Sequence, residues 1–381
     1  MARATKAIAL LLLLSASPAA AARPELEREL GALVDLFYDM DFDAARAAAD
    51  ALAKRHPGHP AGPFYRSVST YQRWTAEGMR STDTYRAFEA DLDAAEAAAK
   101  ALTRTDPAEG HYYRGAVDGF RARALGAQHR YLSAVPAAAS AVKHLKKALE
   151  LDPSLEDARL GIGMYHYFAA RIPSRAKPFA HLLFGERGDR DKGLAELRRV
   201  ADSTGTARME ARSLLSMILA KDDEADWAGS EKLLLELSTR FPHNPIFRLR
   251  RVYVAQKRGD LDAAAALADP GGTWIHKLHP SVRGHARDWA LYRAAECRLL
   301  QGRPAEAKRW LDLLGGEARP GGLKDWILLR RGNLADAMGR RGEADAFYGR
   351  VKGRTAPLAR RFRKERFPGG PRDVAPFFTG Y

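Results

Sequence analysis

Apolar and alanine positions recur at three- and four-residue spacing along most of the chain, and no long stretch alternates with the two-residue period of a strand. Asp41-Phe42-Asp43-Ala44-Ala45 opens one such amphipathic stretch. Asp91-Leu92-Asp93-Ala94-Ala95 and Asp260-Leu261-Asp262-Ala263-Ala264 open two more. The first two run into His56-Pro57 and Asp106-Pro107, and other helices close at Asp152-Pro153 and Phe241-Pro242. Proline cannot continue a helix and pushes its predecessor out of the α region, so each pair marks a stop. Every Asp-x-Asp pair is expected to sit at a helix start, capping free N–H groups at the positive end of the dipole. Gly188-Asp189-Arg190-Asp191 reads as the same element in a longer loop, without the further oxygen ligands of a calcium site. The pattern predicts an all-α chain.

The helices also share a register. Ala141-Val142-Lys143-His144-Leu145-Lys146-Lys147-Ala148-Leu149-Glu150-Leu151-Asp152-Pro153 is the clearest unit. Gly332-Asn333, Gly339, Ala344, Tyr348 and Val351 follow a small, turn, small, aromatic, apolar order, and Gln301-Gly302 with Ala307, Leu311 and Leu314 repeats it. These residues resemble the tetratricopeptide repeat, a roughly 34-residue helix-turn-helix unit, of the exported bacterial type with degenerate repeats. The resemblance implies an α-α superhelix, or solenoid, of paired antiparallel helices, with at least seven second helices between Asp41 and Val351. Spacing is irregular: Pro57 to Pro107 is 50 residues and Pro107 to Pro153 is 46. Insertions fall at 171–187 and at Asp269–Pro280. The expected layout is a repeat domain over 23–352, with sub-blocks 23–170 and 188–352, then a basic helix and aromatic tail over 353–381.

Composition changes this picture in two places. The chain has 381 residues, 46% hydrophobic and 29% charged, enough apolar surface for a core and with one cysteine, Cys297, for no disulfide framework. Its start differs from the rest. Arg3 and Lys6 precede an apolar run from Ala7 to Leu14, and Ala20-Ala21-Ala22 ends in the small residues a signal peptidase accepts. Eight apolar residues are far short of the roughly 20 that span a bilayer. Residues 1–22 are therefore expected to be a signal peptide, and the mature chain periplasmic or secreted, without a lipid anchor. Loss of Arg3 and Lys6 takes the net charge from +15 to +13.

Candidate chemistry is sparse. Ser140–Lys143 and Ser174–Lys177 match a Ser-x-x-Lys spacing but lack the companion motifs of penicillin-recognising enzymes. No Gly-x-Ser-x-Gly, His-Glu-x-x-His, phosphate-cradling or dinucleotide glycine pattern occurs. His276, His279 and His285 cluster near the second insertion, but Pro280 argues against the helical face a metal would need there. His166 falls on a core position. The sequence thus predicts no catalytic residue, no metal site and no cofactor.

Charge is uneven. Arg240–Arg258 holds six Lys/Arg and no acid, and Arg350–Arg366 holds eight Lys/Arg and one Glu. The second run, Arg350, Lys352, Arg354, Arg360, Arg361, Arg363, Lys364 and Arg366, could meet an anionic envelope polymer or lipid surface. Export argues against nucleic acid. With 46 Arg and 16 Lys, arginine-biased composition accounts for part of the excess. A sharper signal is positional: aligning repeats on Ala264, Ala307 and Ala344 puts Arg250, Arg293 and Arg330 each 14 residues earlier, on equivalent turns of first helices. The resemblance implies that first helices line a concave groove. It also implies that an arginine here is one member of a clamp for peptide carboxylates, with Asn333 at another clamp-like position. Leu249, Tyr292 and Leu329 stand where the clamp lysine is expected, so the clamp is incomplete. With Tyr253, Trp289 and Trp326 on neighbouring positions, the groove is expected to suit an acidic or carboxylate-bearing peptide. The sequence reading is a non-catalytic scaffold for a protein or peptide, the alternative an adaptor to anionic surfaces; it leaves oligomeric state open.

Overall fold

The computed structural model describes residues 18–79, 81–171, 187–315, 323–370 and 373–375. Over these residues the chain is all-α, with no strand, and consecutive helices pack pairwise into a solenoid-like superhelix. The pairs are α1 (Pro18–Tyr38) with α2 (Phe42–Arg55), α3 (Ala61–Ala76) with α4 (Thr82–Leu102), and α5 (Pro107–Ala127) with α6 (Tyr131–Leu151). They continue as α7 (Ala158–Ala170) with α8 (Arg190–Asp202), α9 (Arg208–Leu219) with α10 (Trp227–Arg240), and α11 (Pro245–Arg258) with α12 (Leu261–Ala268). After a single helical turn, α13 (Thr273–His276), come α14 (Pro280–Leu300) with α15 (Pro304–Leu314), α16 (Leu323–Ala337) with α17 (Arg341–Arg350), and a last helix, α18 (Ala356–Glu365).

Local sequence accounts for most of these boundaries. Asp41 caps α2 by accepting from the Ala44 N–H at 3.1 Å, Asp260 caps α12 through Ala263 at 3.2 Å, and Asp189 caps α8 through Lys192 at 3.0 Å. The glycines between paired helices, Gly259, Gly302 and Gly339, all take positive φ, 71° to 82°, which a side chain would disfavour. Ala45, Ala49, Ala264, Ala307 and Ala344 are wholly buried where helices cross closely.

Three expectations need correction. Asp91 is not a cap: α4 begins nine residues earlier, at Thr82, so Asp91 lies mid-helix, 7% exposed, and accepts from Arg66 Nε at 2.6 Å. The repeat unit is there, but its second helix is extended by more than two turns at the N-terminal end. Asp106-Pro107 is a start as much as a stop: α4 ends at Leu102, Asp106 caps α5 through Glu109 at 3.0 Å, and Pro107 is its first residue. The second insertion also holds the α13 turn, where Pro280 had suggested irregular chain. The proposed 172–186 part of the first insertion and the aromatic tail Pro376–Tyr381 lie outside the described residues. So do residues 1–17 of the expected signal peptide; its small-residue end, Ala20–Ala22, falls in the first turns of α1.

First helices touch one another from repeat to repeat, α1 with α3, α3 with α5, α11 with α14 and α14 with α16, which puts them on the inside of the curve. That inside is filled. Asn244 donates to the Tyr38 carbonyl at 2.7 Å and the Tyr65 hydroxyl meets Thr206 at 2.9 Å, while an exposed pair, Arg240 with Asp35 at 2.6 Å, bridges the same two ends of the chain. One apolar cluster runs from Leu30, Leu33 and Phe37 of α1 to Leu237, Phe247 and Val254 of the second half, and includes Val374. Sub-blocks 23–170 and 188–352 therefore share a core. Each such fully buried side chain is worth about 1.5–3 kcal/mol.

Candidate functional site

The arginine ladder has a regular structural basis. Each arginine leaves a first helix and reaches the preceding first helix, about one repeat back. Arg250 on α11 donates to the Ser213 carbonyl at 3.2 Å and to its hydroxyl at 3.1 Å, 37 residues earlier. Arg293 on α14 donates to Gln256 Oε1 at 3.3 Å, again 37 residues earlier. Arg330 on α16 donates to the Tyr292 hydroxyl at 3.2 Å, 38 residues earlier. Arg293 and Arg330 also clasp one carboxylate, Glu296, from both sides. All three of these side chains are 0% exposed.

The aromatic positions complete the cluster. Trp289 and Trp326 meet edge to face with centroids 5.6 Å apart, and Tyr292 packs against both. The Arg293 guanidinium lies 5.5 Å from the Tyr253 ring centre. Asn333 accepts from Arg330 at 2.7 Å and donates to the Tyr348 hydroxyl at 2.8 Å, which donates in turn to Asp336 at 3.0 Å. Tyr253, Trp289, Arg293, Trp326, Arg330 and Asn333 are thus brought together, Arg250 sits one rung back against Ser213, and every one of the seven is buried. They do not line an open groove.

What covers the Arg293–Arg330 end of the ladder is the chain's own C-terminal segment. Arg330 donates to the Asp373 carbonyl at 3.0 Å, Arg293 to the Ala375 carbonyl at 3.3 Å, and the Ala375 N–H donates to Glu296 at 3.0 Å. Burial pushes the Glu296 carboxyl up, but Arg293, Arg330 and the Ala375 N–H outweigh it and leave it below the ordinary glutamate value. Burial works against the Arg330 cation, yet Glu296 and Tyr292 hold it well above its ordinary value. Two guanidiniums and one carboxylate leave a net positive charge inside, so further oxygen acceptors are required. Main-chain carbonyls supply two of them.

Glu296, Gln256, Ser213 and 373–375 are the residues that the repeat register did not point to. Glu296 carried a signal: it is the one acid within Leu291–Leu300, three residues after Arg293, one turn on. Next to it Cys297 is buried, accepts from Gln256 Nε2 at 3.2 Å, and has its thiol pushed up to about 12, first by burial and then by Glu296. That is an inert sulfur.

The basic residues split. Arg360, Arg363, Lys364 and Arg366 are exposed around α18, opposite buried Ala359 and Phe362, and Arg350 and Lys352 are exposed just before it. Arg361 instead turns inward to Asp373. Arg354 lies in the short 3-10 turn ahead of α18. The histidines also part company: His276 is exposed, His279 caps α14 through the Ser281 N–H at 3.3 Å, and His285 accepts from Trp289 Nε1 at 3.1 Å. His166 is 1% exposed, within the core. No group of three or more metal-ligating side chains forms among the described residues, and no helix among them is long and apolar enough to cross a membrane.

No family model matches the chain, and no curated protein is similar to it. The tetratricopeptide likeness therefore rests on the residues and the helix pairing themselves.

Proposed function

We propose that this chain is an exported, non-catalytic, tetratricopeptide-like scaffold that binds a short segment of a partner protein on the inner face of its first helices. One observation supports it above the others: Arg293, Glu296 and Arg330 bond main-chain atoms of a short segment that follows the last α-helix, two carbonyls and one N–H. A cluster that reads backbone, flanked by Tyr253, Trp289 and Trp326, is chemistry suited to a peptide. The test is site-specific photo-crosslinking in the full mature chain, with a benzoylphenylalanine at Tyr253 or Trp289 and, as control, at outward Leu313. Partner adducts at the inner positions support the reading; adducts at Leu313 alone sink it.

A second reading has its own support. The exposed cations of α18, with Arg350 and Lys352, form a face suited to an anionic envelope polymer or lipid headgroups. Binding there should fall steeply between 50 and 300 mM salt, roughly as screening length shortens, and should vanish when Arg360, Arg363, Lys364 and Arg366 become Gln. Inner-face binding should survive both changes.

A further inference from the structure

We infer that Asp373-Val374-Ala375 is a built-in ligand: it occupies in cis the clamp that takes partner segments, and its order of acidic, apolar and small residues is what the clamp reads. This rests on the inner face being a peptide site.

Each of the three residues is recognised differently. Asp373 is 3% exposed; its carboxylate meets Arg361 and its carbonyl meets Arg330 at 3.0 Å. Val374 is 4% exposed and belongs to the apolar cluster that holds Tyr253, Leu30 and Phe37. Ala375 is wholly buried, belongs to the cluster of Trp289 and Trp326, and has both main-chain groups bonded, N–H to Glu296 and carbonyl to Arg293. Because Ala375 has no exposed surface, a larger side chain at the third place would have to displace neighbours in that cluster. The clamp therefore carries a charge reader, an apolar contact and a size limit in sequence.

The attachment is also of the kind that can release. Between α18 and Asp373 the described chain is Arg366-Phe367-Pro368-Gly369-Gly370, with Gly369 at φ 74°. A short tether gives an effective concentration of about a millimolar, so three residues with modest intrinsic affinity stay bound in cis. When they leave, Arg293 and Arg330 lose two carbonyl acceptors within a site of net positive charge. Only a segment that restores acceptors can take their place. The same physics that seats the tail selects its competitor.

The test uses the mature chain ending at Gly370, the full mature chain, and a labelled synthetic peptide of residues 368–381, read by fluorescence anisotropy. The peptide should bind the shortened chain saturably and the full chain at least tenfold more weakly. An Asp373→Lys peptide should lose tenfold or more on the shortened chain and regain it when that chain carries Arg361→Glu. Equal binding to both chains, or no loss on Asp373→Lys, overturns the inference. Should the shortened chain not fold by circular dichroism, the full chain with Asp373→Lys takes its place: tighter peptide binding than to the unmodified chain supports the inference, and equal binding overturns it. Peptide binding without inner-face photo-crosslinks would sink the partner reading alone. Inner-face crosslinks without any peptide binding would sink this inference alone.

Discussion

Arg330 and Glu296, on successive first helices, form an ion pair in which neither side chain has any exposed surface, and Arg293 holds the other oxygen of the same carboxylate. Removing one partner of such a group leaves a buried charge uncompensated, at a cost of about 3–5 kcal/mol. The loss should not be symmetrical. Glu296→Gln leaves two guanidiniums together, whereas Arg330→Met leaves the Arg293–Glu296 pair intact. Glu296→Gln is therefore expected to lower the urea midpoint more than Arg330→Met. Arg330→Lys should recover little, because one ammonium cannot reach Tyr292, Asn333, Glu296 and the Asp373 carbonyl together. A midpoint for Glu296→Gln at or above that of Arg330→Met would contradict this account.

The same carboxylate sets an acid limit. Its folded-state pKa lies below the ordinary 4.5, so the stability it supplies is complete above that value and is lost as pH falls through the lower, folded value. Thermal midpoints of the unmodified chain should drop steeply below about pH 4.5. Those of Glu296→Gln should start lower and fall less. Parallel curves for the two proteins would assign the acid limit elsewhere.

A separate titration sits at a histidine pair. His111 and His144 approach at 2.8 Å, Nδ1 to Nδ1, so one must donate and the other accept, and both cannot be protonated there. Burial, then Arg114, hold both below the ordinary value, His144 at about 4. The unfolded chain protonates His144 near pH 6.5, whereas the folded chain refuses that proton until near 4, so stability falls as pH drops through that window. With both rings partly solvated the effect should be about 1 kcal/mol. His144→Gln should flatten the change in urea midpoint between pH 7 and 4.5, an interval above the Glu296 transition.

The Asp-x-Asp motifs mark where local reading works and where it stops. Asp41 and Asp260 were legible because a cap is a contact three residues away; Gly302 and Gly339 were legible because a sharp turn demands positive φ. Arg250, Arg293 and Arg330 were legible as a series, because they recur at one position of the unit. What they bind was not. Tyr38 meeting Glu210 across 172 residues, or Ala375 meeting Glu296 across 79, has no period in the sequence. Both depend on how tightly the superhelix curls and on which segments fill its inside. Asp91 failed for a related reason: an extra two turns on α4 moved a cap motif into the helix interior, against Arg66. Asp91→Ala is accordingly expected to cost about 2 kcal/mol through the lost buried charge contact, and Asp260→Ala about 1 kcal/mol through a lost cap. The reverse order in denaturation would restore the cap reading.

Two glycines make opposite predictions from the same substitution. Gly332 on α16 faces the ring of Tyr348, and a Cβ there would overlap ring carbons. The ring has little room to yield, because its hydroxyl is tied to Asn333 and Asp336. Gly332→Ala should therefore destabilise by about 1–3 kcal/mol, the usual range for overpacking. Combining it with Tyr348→Leu should cost less than the sum of the two changes, since the smaller side chain removes the overlap. Gly284 on α14 is exposed, and a Cβ there meets nothing within 4 Å. Its replacement by Ala only restricts the unfolded chain and improves helix propensity, so Gly284→Ala should stabilise by about 0.4–1 kcal/mol. The pair separates close helix crossing from composition as the reason for glycine in these repeats. If Gly332→Ala and Gly284→Ala shift the midpoint alike, the crossing at Tyr348 is looser than its hydrogen bonds require.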